Sequence, residues 1–539
     1  MASTRTESKT VFTYTPVGNI ATKTLPDGIK LSYRYDPFGF LTKLNSSDEK
    51  IAHTYAYDAL GNLKYAADAN NNIARLVDPF GNVTEEVFST GFTIKKEYDQ
   101  FNRLTKLEIP QMGEVSYRYD PLFLREVTRI SDKGSLLYSH TYDNYDLDGH
   151  LLSEQLIGNL GQVVHKIDIR GQKTEIFSPY FHETYAYDAQ SNLIEAVNLH
   201  SRNKFSYNGL SQLISESHPN KTYPYDSLFN RDPVNDAHQL LETSYDRNGN
   251  QTIKDDYSLT YDPLNRLIEA TSVSRKIIFS YDPLGRRLSK AIHTQSSSGW
   301  QEKETEFYLY HDEKEIGAFQ EKKLKSFRVL GLNTISVELA GNIYVPLIDA
   351  HENIRKLIDM DSGALVESYL YTAFGDNLNS IEFLNPWRFA SKRHDPDIGL
   401  INYGKRDYNP EYARWMTPDP MGFLDSANLY QYVFNNPFRY RDPDGRFVIA
   451  IPLLILGEFA LPSLTAILTP IVYGAITGAV SYGAYYGLSH VIQKVNEKDL
   501  DSYCSEEDHW DHVEEKMSDT KEKNKPKIQP NSVQDKQFR

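Results

Sequence analysis

The sequence predicts a mainly β chain built from stacked hairpins, and three observations carry this. First, the dipeptide Tyr-Asp returns about every twenty residues, the mark of a repeat architecture. Copies stand at Tyr35-Asp36, Tyr57-Asp58, Tyr98-Asp99, Tyr119-Asp120, Tyr142-Asp143, Tyr187-Asp188, Tyr225-Asp226, Tyr245-Asp246, Tyr261-Asp262 and Tyr281-Asp282. Second, the residues before and after each copy alternate, as in Leu31-Ser32-Tyr33-Arg34-Tyr35 and Phe40-Leu41-Thr42-Lys43-Leu44. Period-two alternation belongs to a strand with two different faces. Third, each copy leads into Pro, Gly or Asn, as in Tyr35-Asp36-Pro37-Phe38-Gly39. Asp at the start of a turn accepts backbone amides two residues on, Pro presets φ, and Gly or Asn tolerates positive φ. Each unit therefore reads as a β-hairpin. One hairpin alone is marginal, so neighbours stack edge to edge into a long sheet.

Taken in order, residues 1–9 are polar and read as a disordered start. Residues 10–340 carry the repeat, which becomes irregular after about residue 290 and turns into a charged, mixed stretch between Gly299 and Ala340. Residues 341–446 hold a denser and different set of motifs. Composition then shifts: from Phe447 to Val495 only Glu458 and Lys494 are charged at pH 7, with His490 charged when protonated, and Pro452, Pro462 and Pro470 punctuate the run. Residues 447–495 thus read as an apolar helical segment. Residues 496–539 are polar, mixed in charge and poor in apolar side chains, the composition of disorder.

Composition excludes several functions. The 539-residue chain has 73 acidic against 58 basic residues, a formal charge of −15. No net positive field exists to neutralise phosphates, which argues against a nucleic-acid partner. A single cysteine, Cys504, excludes an intramolecular disulfide framework and every Cys-pair zinc site. No metal or organic cofactor is implied. Thirty-eight tyrosines are unusual beside six methionines and four tryptophans. A strand facing a wet cavity suits Tyr, with its apolar ring and polar tip. No apolar stretch follows the N-terminal Met, so the reading places synthesis in the cytoplasm without an ordinary signal peptide.

The repeats, and the block from Tyr344 to Gly445, resemble the bacterial Rhs/YD-repeat proteins and the C component of Tc toxin complexes; teneurins share the repeat. The block carries Pro346-Leu347-Ile348-Asp349-Ala350-His351, Asn385-Pro386-Trp387-Arg388-Phe389, Lys405-Arg406-Asp407-Tyr408-Asn409-Pro410, Thr417-Pro418-Asp419-Pro420-Met421-Gly422, Asn435-Asn436-Pro437 and Asp442-Pro443-Asp444-Gly445. It looks like an Rhs repeat-associated core. The resemblance implies that the hairpins curl into a spiral sheet, a partial shell, around a C-terminal polypeptide. It also implies a core that cuts the chain just after the final Asp-Pro-x-Gly as an aspartyl autoprotease. The family's two catalytic aspartates fall on Asp419 and Asp442, and a supporting arginine on Arg406. The cut is expected between Arg446 and Phe447.

The chemistry has its own logic. Two carboxylates held close cannot both ionise, so they share a proton, and one activates water while the other donates to the carbonyl oxygen. Asp-Pro also recurs at Asp36, Asp78, Asp120, Asp262 and Asp282, where it is an ordinary turn device. Arg406 has acidic neighbours in sequence, Asp407 and Glu411, which offer it a plain ion pair instead. Arg446 stands where the family has Leu. Ser391 and Ala413 stand where it often has Gly, a cost of about 1 kcal/mol or less each while φ stays negative.

The repeat region is short for a complete shell, so the reading expects a second shell chain, Tc B-component-like or an upstream Rhs part, or else a truncated or split gene. In the tail, Ile471 to Val491 is long enough to span a bilayer. Small residues at Ala475, Ala479, Gly483 and Gly487 suit close helix contact. Membrane contact through residues 448–491 and packing as a helical hairpin within the shell both stay open. His509 and His512 beside Glu514 and Glu515 read as a solvated helix face. The leading expectation is a secreted or delivered bacterial toxin shell that frees its own C-terminus. The alternatives are a non-enzymatic, adhesive surface protein anchored by the apolar segment, and an orphan remnant of a longer gene.

Overall fold

The computed structural model describes residues 9–450, apart from 110, 322, 380–382 and 425. All of these belong to a compact unit, Met1–Ala479; a second unit, Val480–Arg539, lies outside the described residues. So do the expected bilayer-length stretch, the histidine pair, Cys504 and nearly all of the disordered start. Among the described residues no helix is long and apolar enough to cross a membrane.

The architecture is β. Twenty-one strands, from Val11–Tyr14 to Lys221–Thr222, form one sheet in which each strand pairs antiparallel with the next in sequence. Twelve more, from Ile253–Lys254 to Leu365–Ser368, form a second sheet of the same kind. Neither closes into a barrel. A four-stranded sheet (Arg393–Asp395, Leu400–Asn402, Asp407–Asn409, Arg414–Trp415) follows, then the pair Tyr440–Arg441 and Ile449–Ala450. The only helical elements among the described residues are four 3₁₀ turns.

The expected turn chemistry is present. Asp36 Oδ1 accepts the N–H groups of Phe38 and Phe40 at 2.9 Å, and Gly39 sits at φ +91°. The same bonds recur at Asp58, Asp78, Asp99, Asp188 and Asp282. Alternation is also observed: strand Lys30–Tyr35 buries Leu31 and Tyr33 and exposes the residues between.

The tyrosine of the repeat does something different from lining a wet face. Tyr57 Oη donates to the Leu41 carbonyl at 3.0 Å, Tyr187 Oη to Lys173 at 3.1 Å, and Tyr207 Oη to Leu193 at 2.8 Å. In each case the acceptor opens the second strand of the preceding hairpin. The hydroxyl therefore locks each unit to the one before it, and the ring is partly buried. Burial, with the charge of Asp36 adding, pushes the Tyr57 hydroxyl up to about 12, so it stays a donor.

Two stretches depart from the sequence reading. The copies at Tyr225-Asp226 and Tyr245-Asp246 make turns joined only by isolated bridges, Val234 to Leu240 and Tyr245 to Gln251. Turns at Asp226, Asn235 and Asp246 follow too closely for strands to grow between them. Pro224 and Pro233 also remove ladder donors. Conversely, the charged stretch after Gly299 is regular sheet. Two-residue turns replace the Tyr-Asp motif there, with Asp312 at φ +53° and Ala340 at φ +48°. The second sheet consequently runs without a break through residue 340.

One margin of the first sheet is apolar. One of the two central turn residues stands exposed in unit after unit: Phe38, Leu60, Phe80, Phe101, Leu122 and Leu210 before the turn glycine or its equivalent, and Leu147 and Ile169 directly after the turn aspartate. In a meander these turns share one side, two strand widths or about 9.5 Å apart. In the second sheet the equivalent Leu284 is buried, packed among Ile20, Leu31, Leu41 and Leu44 of the first. A turn tip of one sheet is thus seated on the face of another.

Candidate active site

The block after residue 368 is fixed to the repeats by asparagines. Asn436 Nδ2 donates to Asn192 Oδ1 at 2.9 Å and to the Ser211 carbonyl at 2.8 Å. Asn428 Nδ2 donates to Asn230 Oδ1 at 2.8 Å. These acceptors lie in successive Tyr-Asp-type turns, so the Asn-Asn-Pro motif straps the block across the turn row. Beneath it, Tyr403, Tyr408, Trp415 and Tyr432 pack ring against ring, with centroids 4.3–5.8 Å apart.

Arg406 lies against this cluster, its guanidinium 4.1 Å from the centre of the Trp415 ring. It follows the strand Leu400–Asn402 and precedes Asp407–Asn409. Its Nη2 pairs with Asp419 Oδ2 at 2.7 Å and with Asp442 Oδ2 at 3.1 Å. One nitrogen therefore draws together two carboxylates that the sequence keeps well apart. Their oxygens are no farther from each other than those two distances summed. Nε donates to the Gly445 carbonyl at 2.6 Å, and Nη1 is buried with no hydrogen-bond partner. The sequence neighbours go elsewhere: Asp407 pairs with Arg287 at 3.0 Å and Glu411 with Lys254 at 3.3 Å.

The two acids differ in setting. Asp442 is fully buried, and its Oδ1 accepts the N–H groups of Gly445 at 2.7 Å and Arg446 at 3.0 Å. Burial is the main cause that pushes its carboxyl up to about 6; Asp444 and Asp419 push the same way, while Arg406 and the Arg446 N–H oppose. Asp419 Oδ1 accepts the Met421 N–H at 2.8 Å, and the acid is partly exposed. It borders a cavity of about 10 Å³, room for one water. Arg406, Asn428 and Val448 line the same cavity.

The segment that joins Asp442 to Val448 is the turn between the paired strands Tyr440–Arg441 and Ile449–Ala450. It is held from several sides. Lys405 N–H donates to the Asp444 carbonyl at 2.9 Å, and Lys392 Nζ donates to the Pro443 carbonyl. Burial and the charge of Arg328 bring the Lys392 amine down to about 8. Gly445 has φ +84°, and a Cβ there would stand 3.0 Å from Arg406 N. The backbone of Arg446 is thus placed beside the acids, and its side chain pairs with Asp444 Oδ2, Nε at 2.7 Å. Sequence reading missed Lys392, Lys405 and Asp444. Asp444, two residues before Arg446 with opposite charge, was the one readable signal.

Ser391 and Ala413 have φ of +52° and +51°, not the negative values expected. Both sit in tight turns that glycine adopts without strain.

The family model for the teneurin YD-shell matches residues 153–442, more than half of the chain. The chain belongs to the teneurin YD-shell family. A model of the RHS repeat also matches residues 14–50. The YD-shell region thus takes in Asp419, Asp442 and Arg406. The fold of a Tc complex, TcdB2-TccC3 without its hypervariable C-terminal region, superposes with a TM-score of 0.58 at 16% identity, covering 82% of this chain and 27% of that one. The tRNA3(Ser)-specific nuclease WapA of Bacillus spizizenii is 28% identical over 280 residues, 45% of this chain and 12% of the relative. The toxin subunit YenC2 of Yersinia entomophaga is 48% identical over 58 residues, 11% of this chain and 6% of the relative. The chain therefore spans only a small part of the length of the curated relatives it matches.

Proposed function

We propose that this chain is a shell segment of a Tc- or Rhs-type toxin that cuts itself between Arg446 and Phe447 and so frees the polypeptide beyond. One observation supports the reading above all. Asp419 and Asp442 meet on a single nitrogen of Arg406, beside a backbone turn that Asp442 and Arg406 both grip at Gly445. A water in the cavity at Asp419 is the nucleophile. Its oxygen bonds to the Arg446 carbonyl carbon while Asp419 takes its proton. Asp442, protonated as its raised pKa favours, supplies the acid. Arg406 Nη1, which has no hydrogen-bond partner, supplies a donor for the negative charge that develops on the carbonyl oxygen. The C–N bond breaks, leaving a carboxylate on Arg446 and an amine on Phe447. The reaction runs once per chain, so rapid turnover is not needed.

The exposed turn tips extend the reading to a partner. A second YD-type shell chain would cover this apolar margin as the first sheet covers Leu284. Delivery to a target cell, as the names of the toxin relatives suggest, completes the proposal.

A static reading competes: Arg406 as a plain clamp between two acids in an adhesive surface protein uses the same ion pairs. A denaturing gel of freshly made protein separates the two. Self-cleavage gives two fragments from the wild type and one intact chain from Asp419→Asn. A clamp gives an intact chain from both.

A further inference from the structure

Arg446 is held by a residue of its own turn. Its Nε donates to Asp444 Oδ2 at 2.7 Å, and Nη2 bonds the same oxygen. The two side chains are only 16% and 17% exposed. Both backbones are fixed independently of this pair. The Asp444 carbonyl accepts the Lys405 N–H at 2.9 Å, and the Arg446 N–H donates to Asp442 Oδ1 at 3.0 Å. Lys405 directly precedes Arg406, so the pair is joined to the strip that carries the site's guanidinium. Asp444 Oδ1 is buried without a hydrogen-bond partner. Taking away the arginine would leave a half-buried carboxylate without the partner on its Oδ2, at some cost.

We propose that Asp444 is a specificity-determining positioning residue that selects arginine at 446, the residue on the acyl side of the bond to be cut. This rests on the autoproteolysis reading. Asp444 touches neither the scissile carbonyl nor the water. It acts through Arg446, fixing the side chain so that the carbonyl that follows is presented to Asp419 and Asp442. The acid and the base form a matched pair: an apolar residue at 446 belongs with an uncharged residue at 444.

The test is a kinetic cycle on the full chain, purified unfolded from inclusion bodies, refolded, and sampled for the fragment that begins at Phe447. D444A and R446L are each expected to slow cleavage about tenfold, the effect of roughly 1.4 kcal/mol. The double variant D444A/R446L is expected to return to within about threefold of the wild type, because the mismatch is gone. Residues that act independently would give losses that multiply, and a pair that only holds the fold would lower the unfolding midpoint together with the rate. Asp444→Asn keeps the shape and removes the charge: slow cleavage with an unchanged unfolding midpoint supports the proposal. Wild-type rates for D444A and Asp444→Asn, or multiplied losses in the double variant, overturn it alone. A wild type that refolds and stays intact overturns it together with the autoproteolysis reading.

Discussion

At Arg406 one guanidinium nitrogen answers two acids, and the consequences are testable side chain by side chain. Asp419→Asn and Asp442→Asn keep the shape but remove the carboxyl proton and one of the two acceptor oxygens, and should each slow cleavage on the order of 10²–10⁴-fold. The pH dependence follows from Asp442, whose folded carboxyl is raised from 3.8 to about 6. The group must hold its proton to act as acid, so cleavage on refolding should be faster at pH 5 than at pH 8, with an apparent midpoint near 6 that belongs to the pair. Stability carries the same sign. A raised carboxyl contributes most below 3.8, and that contribution is lost as pH rises through 6. In Asp442→Asn, unfolding midpoints should lose this slope between pH 4 and 6. At Ala413, φ of +51° strains an alanine, so Ala413→Gly should raise stability by about 1 kcal/mol in urea unfolding. The triplet Asp419, Asp442 and Arg406 was readable only through the resemblance, since Asp-Pro also makes this chain's ordinary turns. The spare Nη1 and the Lys392 contact were not readable at all, because both depend on how distant segments fold against the block.

At the level of elements, the hairpin and its turn were legible because each is local: alternation over six residues, then Asp and Gly at fixed places. What was illegible is non-local or motif-free. Among the strands from Gly299 to Ile348, the turn at Asp312-Glu313 has Asp312 at positive φ with no Gly or Pro to mark it. The copy at Tyr225 carries the motif yet lies between prolines and makes no strand. The role of tyrosine was also hidden, since its hydroxyl partner sits on the previous unit. Tyr187→Phe removes the donor to Lys173 O and should lower stability by about 1 kcal/mol. Tyr57→Phe, far away on the first sheet, should add to it almost independently. Denaturant unfolding of both single variants and the double checks this, and near-zero effects would deny the inter-unit lock.

At the scale of the whole molecule, two meander sheets supply a long surface, and the block after them is strapped to successive turns by Asn428 and Asn436. That strap fixes where the chain arrives at Asp442, so a single turn is offered to the acids. The central claim is that the wall and its cut are one design: the site forms only once the sheet beneath it has formed. N-terminal sequencing of the smaller product of the purified full chain tests this most directly. The account predicts a fragment beginning at Phe447 from the wild type and none from Asp419→Asn or Asp442→Asn. An intact, folded wild-type chain, or a fragment that begins elsewhere and persists in both variants, would contradict it.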